Sequence, residues 1–369
     1  MVPKIMPMDS QTANTLHQAP RTVFFDVSTL NPDKVTGIGV YMNQLWQHLK
    51  DHPKVKFIPV IKLSRLKNRK KLEAYLGRKI QPLWPWTGIA TKNAVYHGPD
   101  FKISMGSSIP KVVTIHDMVV FEKSYNTSAF YNKGIDDLTA VLKSDLSAVI
   151  VNSEFTKQEV LKYFPELASK TYVTYLGCDR SYPLPEKIAS LSTEKYILFL
   201  GTLEKRKNVT AVLEAFKILC QKGTDHKLVL AGTWGFGDDE IKAAIAKFPF
   251  PEKLVHLSYV PNTQIEELFK KATAFVFPSL YEGFGIPVLE AMSLGCPVVT
   301  SNEGVLKEVT GEAALHASPH SPQEIAEKLE QLIHSEELRS KMIKLGKEHS
   351  RRFTWKTCAE ETLKVYQKI

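Results

Sequence analysis

Residues 274–295 read AFVFPSLYEGFGIPVLEAMSLG. The four apolar residues 274–277 suit a strand buried on both faces of a parallel sheet. Residues 286–294 suit a helix, with Pro287 near its start and Gly295 just past its end, the positions those two residue types favour. Between them lies Ser279-Leu-Tyr-Glu282-Gly283-Phe284-Gly285. Glycines on both sides of Phe284 let backbone N–H groups approach a ligand closely. The helix start that follows carries partial positive charge, which favours phosphate or a developing anion. Glu282 stands just before the helix and Glu290 within it. Their spacing does not put them on one helix face, yet they can serve as floor and wall of one cleft. Each carboxylate can accept from two adjacent hydroxyls, so the pair suits a sugar and a ribose.

The same strand–loop–helix order repeats outward from this stretch. Downstream, 297–300 reads as another strand and the tail from Pro322 as helical. Upstream, 196–200 is a strand ending at Gly201, 227–231 a strand ending at Gly232, and 254–257 a further strand. Asn208 is placed to cap a helix whose apolar residues 209, 212, 213, 216 and 219 follow helical spacing. Earlier strands are expected at 22–27, 55–61, 94–97, 111–115, 148–151 and 172–175. A helix over 154–164 has Ser153 as its N-cap. A loop holding Gly37 and Gly39 precedes a helix bearing Tyr41, Leu45, Trp46 and Leu49. Strands alternating with helices predict parallel sheets covered on both faces. A length of 369 residues allows two such domains. The division expected is a disordered lead at 1–20, a first domain at 21–180 and a second at 185–350. The stretch 179–195, with two prolines among polar residues, reads as the linker. Two open α/β units in tandem place a ligand crevice at the carboxyl ends of their strands.

Three more elements point into that crevice. Gly201-Thr-Leu-Glu-Lys205-Arg206-Lys207-Asn208 follows one strand and opens a helix. Its arginine can fork onto two phosphate oxygens, and its lysines act as point charges. His116, in Ile115-His116-Asp117, follows a buried strand, where it can bind a sugar hydroxyl or handle a proton. Thr36-Gly37-Ile-Gly39-Val-Tyr41 lacks the third glycine of a dinucleotide fingerprint and reads instead as a tight backbone turn facing the cleft.

The net charge of +9, from 48 Lys and Arg against 39 Asp and Glu, favours anionic partners. Part of it is concentrated in one stretch. Lys62, Arg65, Lys67, Arg69, Lys70, Lys71, Arg78 and Lys79 face only Glu73, with Leu63, Leu66, Leu72 and Leu76 interleaved. That pattern suits an anionic membrane surface. Zinc-finger spacing and an aromatic RNA-binding signature are both absent, so nucleic acid is not an expected partner. The four cysteines form no CxxC pair and read as reduced core thiols. No signal-peptide run and no stretch of about 20 apolar residues is visible. Together these point to a cytoplasmic protein, with membrane contact limited to the inner face of the cytoplasmic membrane. Without a clear Asp-x-Asp site, no metal and no cofactor is expected.

Glu282-Gly-Phe-Gly-Ile-Pro-Val-Leu-Glu290 resembles the EX7E motif of family 4 retaining glycosyltransferases. Gly37-Ile-Gly39, Ile115-His116-Asp117, Asn152-Ser153-Glu154-Phe155, Gly201 to Asn208 and Ala231-Gly232 follow in that family's order. The form of Gly201 to Asn208 is most similar to bacterial mannosyltransferases of polysaccharide and lipopolysaccharide assembly. The resemblance implies the GT-B fold, two Rossmann-like doubly wound domains with an interdomain cleft, and a last helix at 355–369 that crosses back onto the first domain. It further implies that Arg206 and Lys207 hold the donor diphosphate, Glu282 the transferred sugar and Glu290 the ribose. Phe284, Gly283 and Gly285 would present amides. His116 would stand at the sugar's reactive face. Gly37 and Gly39 would close toward the phosphates, and Gly201 and Gly232 would line the donor site. The donor implied is a nucleotide sugar, GDP-mannose first, and the acceptor a glycan or lipid-linked glycan. Many relatives carry arginine where Thr202 stands, which shifts weight onto Arg206, and a basic residue where Val40 stands, so a direct phosphate contact from that position is not expected here. Competing readings are an epimerase or phosphorylase of the same architecture, and a non-catalytic nucleotide-sugar-binding protein.

Overall fold

The structure, a computed structural model, describes residues 20–33, 36–83, 93–101, 103, 109–122, 129–179 and 194–369. The expected lead at 1–20 and linker at 179–195 therefore fall almost wholly outside the described residues.

The first lobe runs β1 (Arg21–Asp26), α1 (Gly37–Leu49), β2 (Val55–Lys62), α2 (Arg69–Leu76), β3 (Gln81–Leu83), β4 (Ala94–Gly98) and β5 (Lys111–Ile115). It continues through α3 (Ala129–Leu142), β6 (Ala148–Val151), α4 (Glu154–Tyr163) and β7 (Thr171–Val173). The second runs β8 (Tyr196–Leu200), α5 (Val209–Gln221), β9 (Lys227–Ala231), α6 (Asp238–Ala246), β10 (Leu254–Leu257), α7 (Asn262–Lys271), β11 (Ala274–Phe277) and α8 (Ile286–Ser293). Then come β12 (Val298–Ser301), α9 (Gly304–Thr310), β13 (Leu315–Ala317), α10 (Pro322–His334), α11 (Glu336–Ser350) and α12 (Trp355–Lys368).

The strands form two sheets, ordered β3-β2-β1-β4-β5-β6-β7 and β10-β9-β8-β11-β12-β13. Every pairing is parallel. The central strands are buried along their length, because helices cover both faces; this is why they read as unbroken apolar runs. In each sheet the chain winds outward over three strands and then returns beside the first. Strand order thus reverses between β1 and β4 and again between β8 and β11, and ligands of open α/β sheets bind outside such switch points.

Helix α12 ends the chain on the first lobe, packed against α1. Its entry is fixed by Asp179, whose Oδ1 accepts from Trp355 N at 2.7 Å, and by Cys178 N donating to Phe353 O at 3.1 Å. All four cysteines are buried and free.

Two local expectations need correction. Gly37 and Gly39 are not a loop but the first turn of α1, whose N-cap Thr36 accepts from Gly39 N at 3.3 Å. The buried face of Tyr41, Met42, Leu45, Trp46 and Leu49 stabilises that helix despite its glycines. Asn208 precedes α5 but does not cap it with its side chain; the residue is left-handed (φ 59°), a conformation Asn tolerates. Its Nδ2 donates instead to Pro278 O at 3.1 Å and Pro319 O at 2.6 Å.

Candidate active site

The loops after β8 and β11 meet at the second switch point. Leu280 N donates to Arg206 O at 2.8 Å, and Asn208 bonds the strand end at Pro278, so the basic turn and the Glu282 loop are laced together. The result is one ion cluster. Glu282 Oε2 accepts from Arg206 Nη1 at 3.0 Å, and Oε1 accepts from Lys207 Nζ at 2.8 Å and Ser279 Oγ at 3.1 Å. Arg206 also donates to Tyr281 O at 3.2 Å, and its Nη2 lies 2.8 Å from Glu204 Oε1. Lys207 Nζ sits 4.8 Å from the Phe277 ring centre. The Glu282 and Lys207 side chains are each only 10% exposed, so their charges act through a medium poorer than water at screening them. Burial would raise the Glu282 carboxyl, but Arg206 and Lys207 outweigh it and hold the group at about 2. Burial would lower Arg206; Glu282, Glu204 and Asp117 reverse this and bind its proton more tightly than usual.

The neighbouring strand, β9, fixes the other wall of the turn. Its register sets Ala231 beside Leu200, and Gly201 N donates to Ala231 O at 2.9 Å. A Cβ on Gly232 would fall 1.9 Å from Gly201 O, so only glycine lets the two strand ends lie this close.

The first lobe supplies the facing wall. His116 follows β5, and its Nε2 donates to Pro99 O at 2.9 Å. A carbonyl only accepts, so Nε2 is the donor in this contact. The Tyr41 ring meets it edge-on at 5.0 Å. Behind them runs a buried polar chain: Tyr41 OH to Thr114 Oγ1 at 2.9 Å, Thr114 Oγ1 to His97 Nε2 at 2.8 Å, and His97 Nδ1 to Tyr366 OH at 2.6 Å. Burial, with the nearby His116, drives His97 down to about 3, so it is neutral near pH 7.

The two walls are in contact. Gly283 O accepts from Ser153 Oγ at 3.0 Å and Thr156 Oγ1 at 3.1 Å. Tyr281 OH accepts from Met118 N at 3.1 Å. Farther along the seam, the Glu308 carboxylate of α9 accepts from Glu154 N and Phe155 N at 2.8 Å each, and from Tyr175 OH at 3.0 Å.

Residues 183–349 match the protein family described as glycosyl transferases group 1. The O-antigen chain mannosyltransferase B of Escherichia coli is 30% identical over 327 residues, covering 82% of this chain and 84% of that one. The chain belongs to the group 1 glycosyl transferases. Among solved structures it is similar to HepE of Anabaena in complex with UDP-glucose, with a TM-score of 0.73 at 16% identity over 95% of this chain and 100% of that one. It is also similar to sucrose-phosphate synthase of Thermosynechococcus elongatus, with a TM-score of 0.70 at 16% identity over 94% and 98%. The architecture is GT-B, two parallel-sheet Rossmann-like lobes.

The transferase thus gathers Arg206, Lys207, Glu282 and Gly283 at one switch point, with Gly201 and Gly232 beside them and His116 across the seam. Gly285 (φ 98°) turns the chain into α8. The Phe284 ring is turned away into the seam, 6.0 Å from Phe353 and 6.3 Å from Tyr175. Glu290 is 3% exposed on α8, and its charge, after burial and Asp179, helps push the Cys178 thiol up to about 12. Gly37 has open space around its Cα, so no close approach explains it.

Reading the sequence alone missed Glu204, Tyr281 and Glu308. Glu204 and Tyr281 flank residues already singled out, so their proximity to Arg206 was a usable signal. Glu308 lies more than 150 positions from the amides it binds, and nothing local marks it. Among the described residues no three His, Cys, Asp or Glu side chains group as a metal site, and no helix is long and apolar enough to cross a membrane.

Proposed function

We propose that this transferase moves a hexose, mannose first, from a nucleoside-diphosphate sugar to a glycan or lipid-linked glycan, with retention of anomeric configuration. The observation that carries the reading is the convergence of Arg206 and Lys207 on one carboxylate at the β8/β11 switch point, faced by His116. Two cations that grip two carboxylate oxygens are spaced to grip two phosphate oxygens. A departing nucleoside diphosphate gains negative charge as the sugar–oxygen bond breaks, and fixed cations in a low-dielectric cleft stabilise that charge without reorganising. They take the part a divalent ion would otherwise play, so turnover should persist in a chelator. The Glu282 carboxylate, displaced from its cations by the diphosphate, becomes an acceptor for sugar hydroxyls. Attack from the face the leaving group vacates, within the ion pair, retains configuration and needs no enzyme nucleophile. Phosphate oxygens freed at that face can take the acceptor proton.

Mannose is favoured by the name of the Escherichia coli relative, and a nucleotide-sugar donor by the UDP-glucose complex of HepE. A thermal-shift panel of GDP, UDP, ADP and dTDP sugars tests the donor, because a true ligand raises the melting temperature by linkage. The expected result is the largest rise with GDP-mannose. Proton NMR of the product reads the anomeric outcome. Arg206→Ala and Lys207→Ala should each lower turnover at least about a hundredfold, with unchanged circular dichroism. Full activity in the double variant would end the assignment.

A further inference from the structure

Resting on the glycosyl-transfer reading above, we propose that Glu204 is a positioning residue: it holds Arg206 through Nη2, so that Nη1 keeps its aim when a nucleoside diphosphate takes the place of Glu282. The guanidinium divides its contacts between these two nitrogens. Nη1 donates to Glu282 Oε2 at 3.0 Å and to Tyr281 O at 3.2 Å, while Nη2 lies 2.8 Å from Glu204 Oε1. In that reading the diphosphate replaces the Glu282 bond. The Glu204 bond is made by the other nitrogen and need not change. Because a guanidinium is planar and rigid, fixing one of its nitrogens restricts the direction of the other.

A fully exposed ion pair would do this poorly, since such pairs are worth little and their side chains stay free. Here the Arg206 and Glu204 side chains are 25% and 18% exposed. The backbone around Glu204 is pinned as well. Leu203 is buried, donates its N–H to Thr233 O at 2.8 Å and accepts from Gly235 N at 3.0 Å, which ties it to the loop after β9. Glu204 itself is extended, and its carbonyl accepts from Lys207 N at 3.0 Å, closing the 3-10 turn Lys205–Lys207 that carries both cations. A Cβ on Gly235 would fall 2.5 Å from Thr202 Cγ2 and 3.0 Å from Glu204 Cβ, so the loop after β9 lies directly against Glu204. Among the described residues Lys207 pairs with Glu282 alone, with the Phe277 ring centre 4.8 Å from its Nζ. Only the arginine has a second carboxylate to hold it, among the described residues.

The charge of Glu204 works against simple attraction. With Glu282 displaced, Arg206 and Lys207 meet the diphosphate with Glu204 still beside them, so part of their positive charge is offset. A carboxylate kept at an anion site weakens ground-state binding. What it supplies is direction, and direction counts where charge develops as the sugar–oxygen bond breaks. Removing it should therefore lower kcat without weakening the bound diphosphate. A residue that merely stabilises the fold would not separate the two, and its effect would not depend on Arg206.

The test is a double-mutant cycle on the full chain. Turnover is read as nucleoside diphosphate released from the sugar that the parent consumes out of the GDP, UDP, ADP and dTDP panel, and binding of the matching diphosphate by calorimetry. Glu204→Gln keeps the shape and reduces the contact to a neutral one; kcat should fall roughly tenfold, with the diphosphate bound no more weakly than by the parent. In an Arg206→Ala background the same substitution should cost less than about twofold, because no guanidinium is left to hold. In a Lys207→Ala background it should again cost its full factor. Equal losses in all three backgrounds would overturn the proposal, and so would weaker diphosphate binding by Glu204→Gln or a parent-like kcat in that variant. If Arg206→Ala is impaired and Glu204→Gln is not, the transfer reading stands and Glu204 positions nothing. A parent that consumes no donor, or an Arg206→Ala variant with normal turnover, ends the transfer reading and this role with it.

Discussion

Gly283 and His116 come from different lobes, yet a Cβ built on Gly283 would lie 1.9 Å from the His116 carbonyl oxygen and 2.9 Å from Asp117 Cβ. Backbone touches backbone here, so no side-chain rotation can make room. The carbonyl that blocks position 283 is itself held by Asn152 Nδ2 at 2.9 Å. The glycine of the Glu282 loop is therefore required by the seam.

Gly283→Ala should leave each lobe folded and force the lobes apart. A shift on the order of 1 Å in the relative position of reacting groups costs about a hundredfold in rate. We expect kcat/KM to fall by at least that factor, with an unchanged circular dichroism spectrum and a larger radius of gyration in X-ray scattering. Near-normal turnover in this variant would show that the seam opens freely during catalysis.

Glu308 closes the same seam by a different device. Its carboxylate caps the N-terminus of α4, taking two backbone N–H bonds and the Tyr175 hydroxyl. Burial and the Glu308 charge push that hydroxyl up to about 12, so it stays a donor. Glu308→Gln turns an NH2 group toward a backbone N–H and loses a charge-assisted bond, a cost of roughly 1.5–3 kcal/mol. Hydrogen exchange at Glu154 and Phe155 should speed up correspondingly, about ten- to a hundredfold, while amides in the β8–β11 core keep their protection. Unchanged exchange at those two amides would mean that the cap holds nothing.

Glu282 should reveal itself through pH and through ligand affinity. Its folded value of about 2 lies below the unfolded carboxylate range, so its contribution to stability is complete above about 4.5 and is lost as pH falls toward 2. That contribution is on the order of 3 kcal/mol, and a Glu282→Gln variant should lack this part of the acid-induced loss in denaturant titrations. The same variant removes the competitor for Arg206 and Lys207. Nucleoside diphosphate should then bind several-fold more tightly while turnover falls. Weaker binding in the variant would show that the carboxylate assists the diphosphate instead of competing with it.

The readable part of the molecule was the part where local chemistry and tertiary role coincide. Buried parallel strands such as Ala148–Val151 and Ala274–Phe277 are continuous apolar runs because both their faces are covered. The loops after β8 and β11 combine glycine, charge and a helix start within a few residues, so the switch point announced itself. The edge strands Gln81–Leu83 and Leu315–Ala317 did not, since three residues carry no period. Gly37 and Gly39 misled for an energetic reason: their low helix propensity is outweighed by the burial of Tyr41, Leu45 and Trp46 in the same helix. Glu308 was invisible because its meaning lies in two amides of the other lobe. That Glu282 is gripped by both basic residues follows from the lacing of two distant loops, which no spacing in the sequence encodes.

His97 makes the last prediction, and it separates from Glu282 by its pH window. The ring is fully buried between Thr114 and the α12 hydroxyl of Tyr366, and burial holds it at about 3. In the unfolded chain it takes a proton below about 6.5, and in the folded one only near 3. The unfolded state therefore binds one more proton between those limits, and stability rises with pH across them. This contribution is present above pH 6.5 and is lost as pH falls toward 3, with a slope of about 1.4 kcal/mol per pH unit. Acid sensitivity should thus begin near pH 6, well before the Glu282 window opens. His97→Gln, which can still bond both neighbours but does not titrate, should flatten the curve between pH 6 and 4.5. Tyr366→Phe should loosen α12 while leaving that slope in place, because the ring stays buried. If denaturant midpoints of the parent are level from pH 7 to 5, the ring is not held neutral by burial, and the polar chain behind His116 is more open to water than its geometry implies.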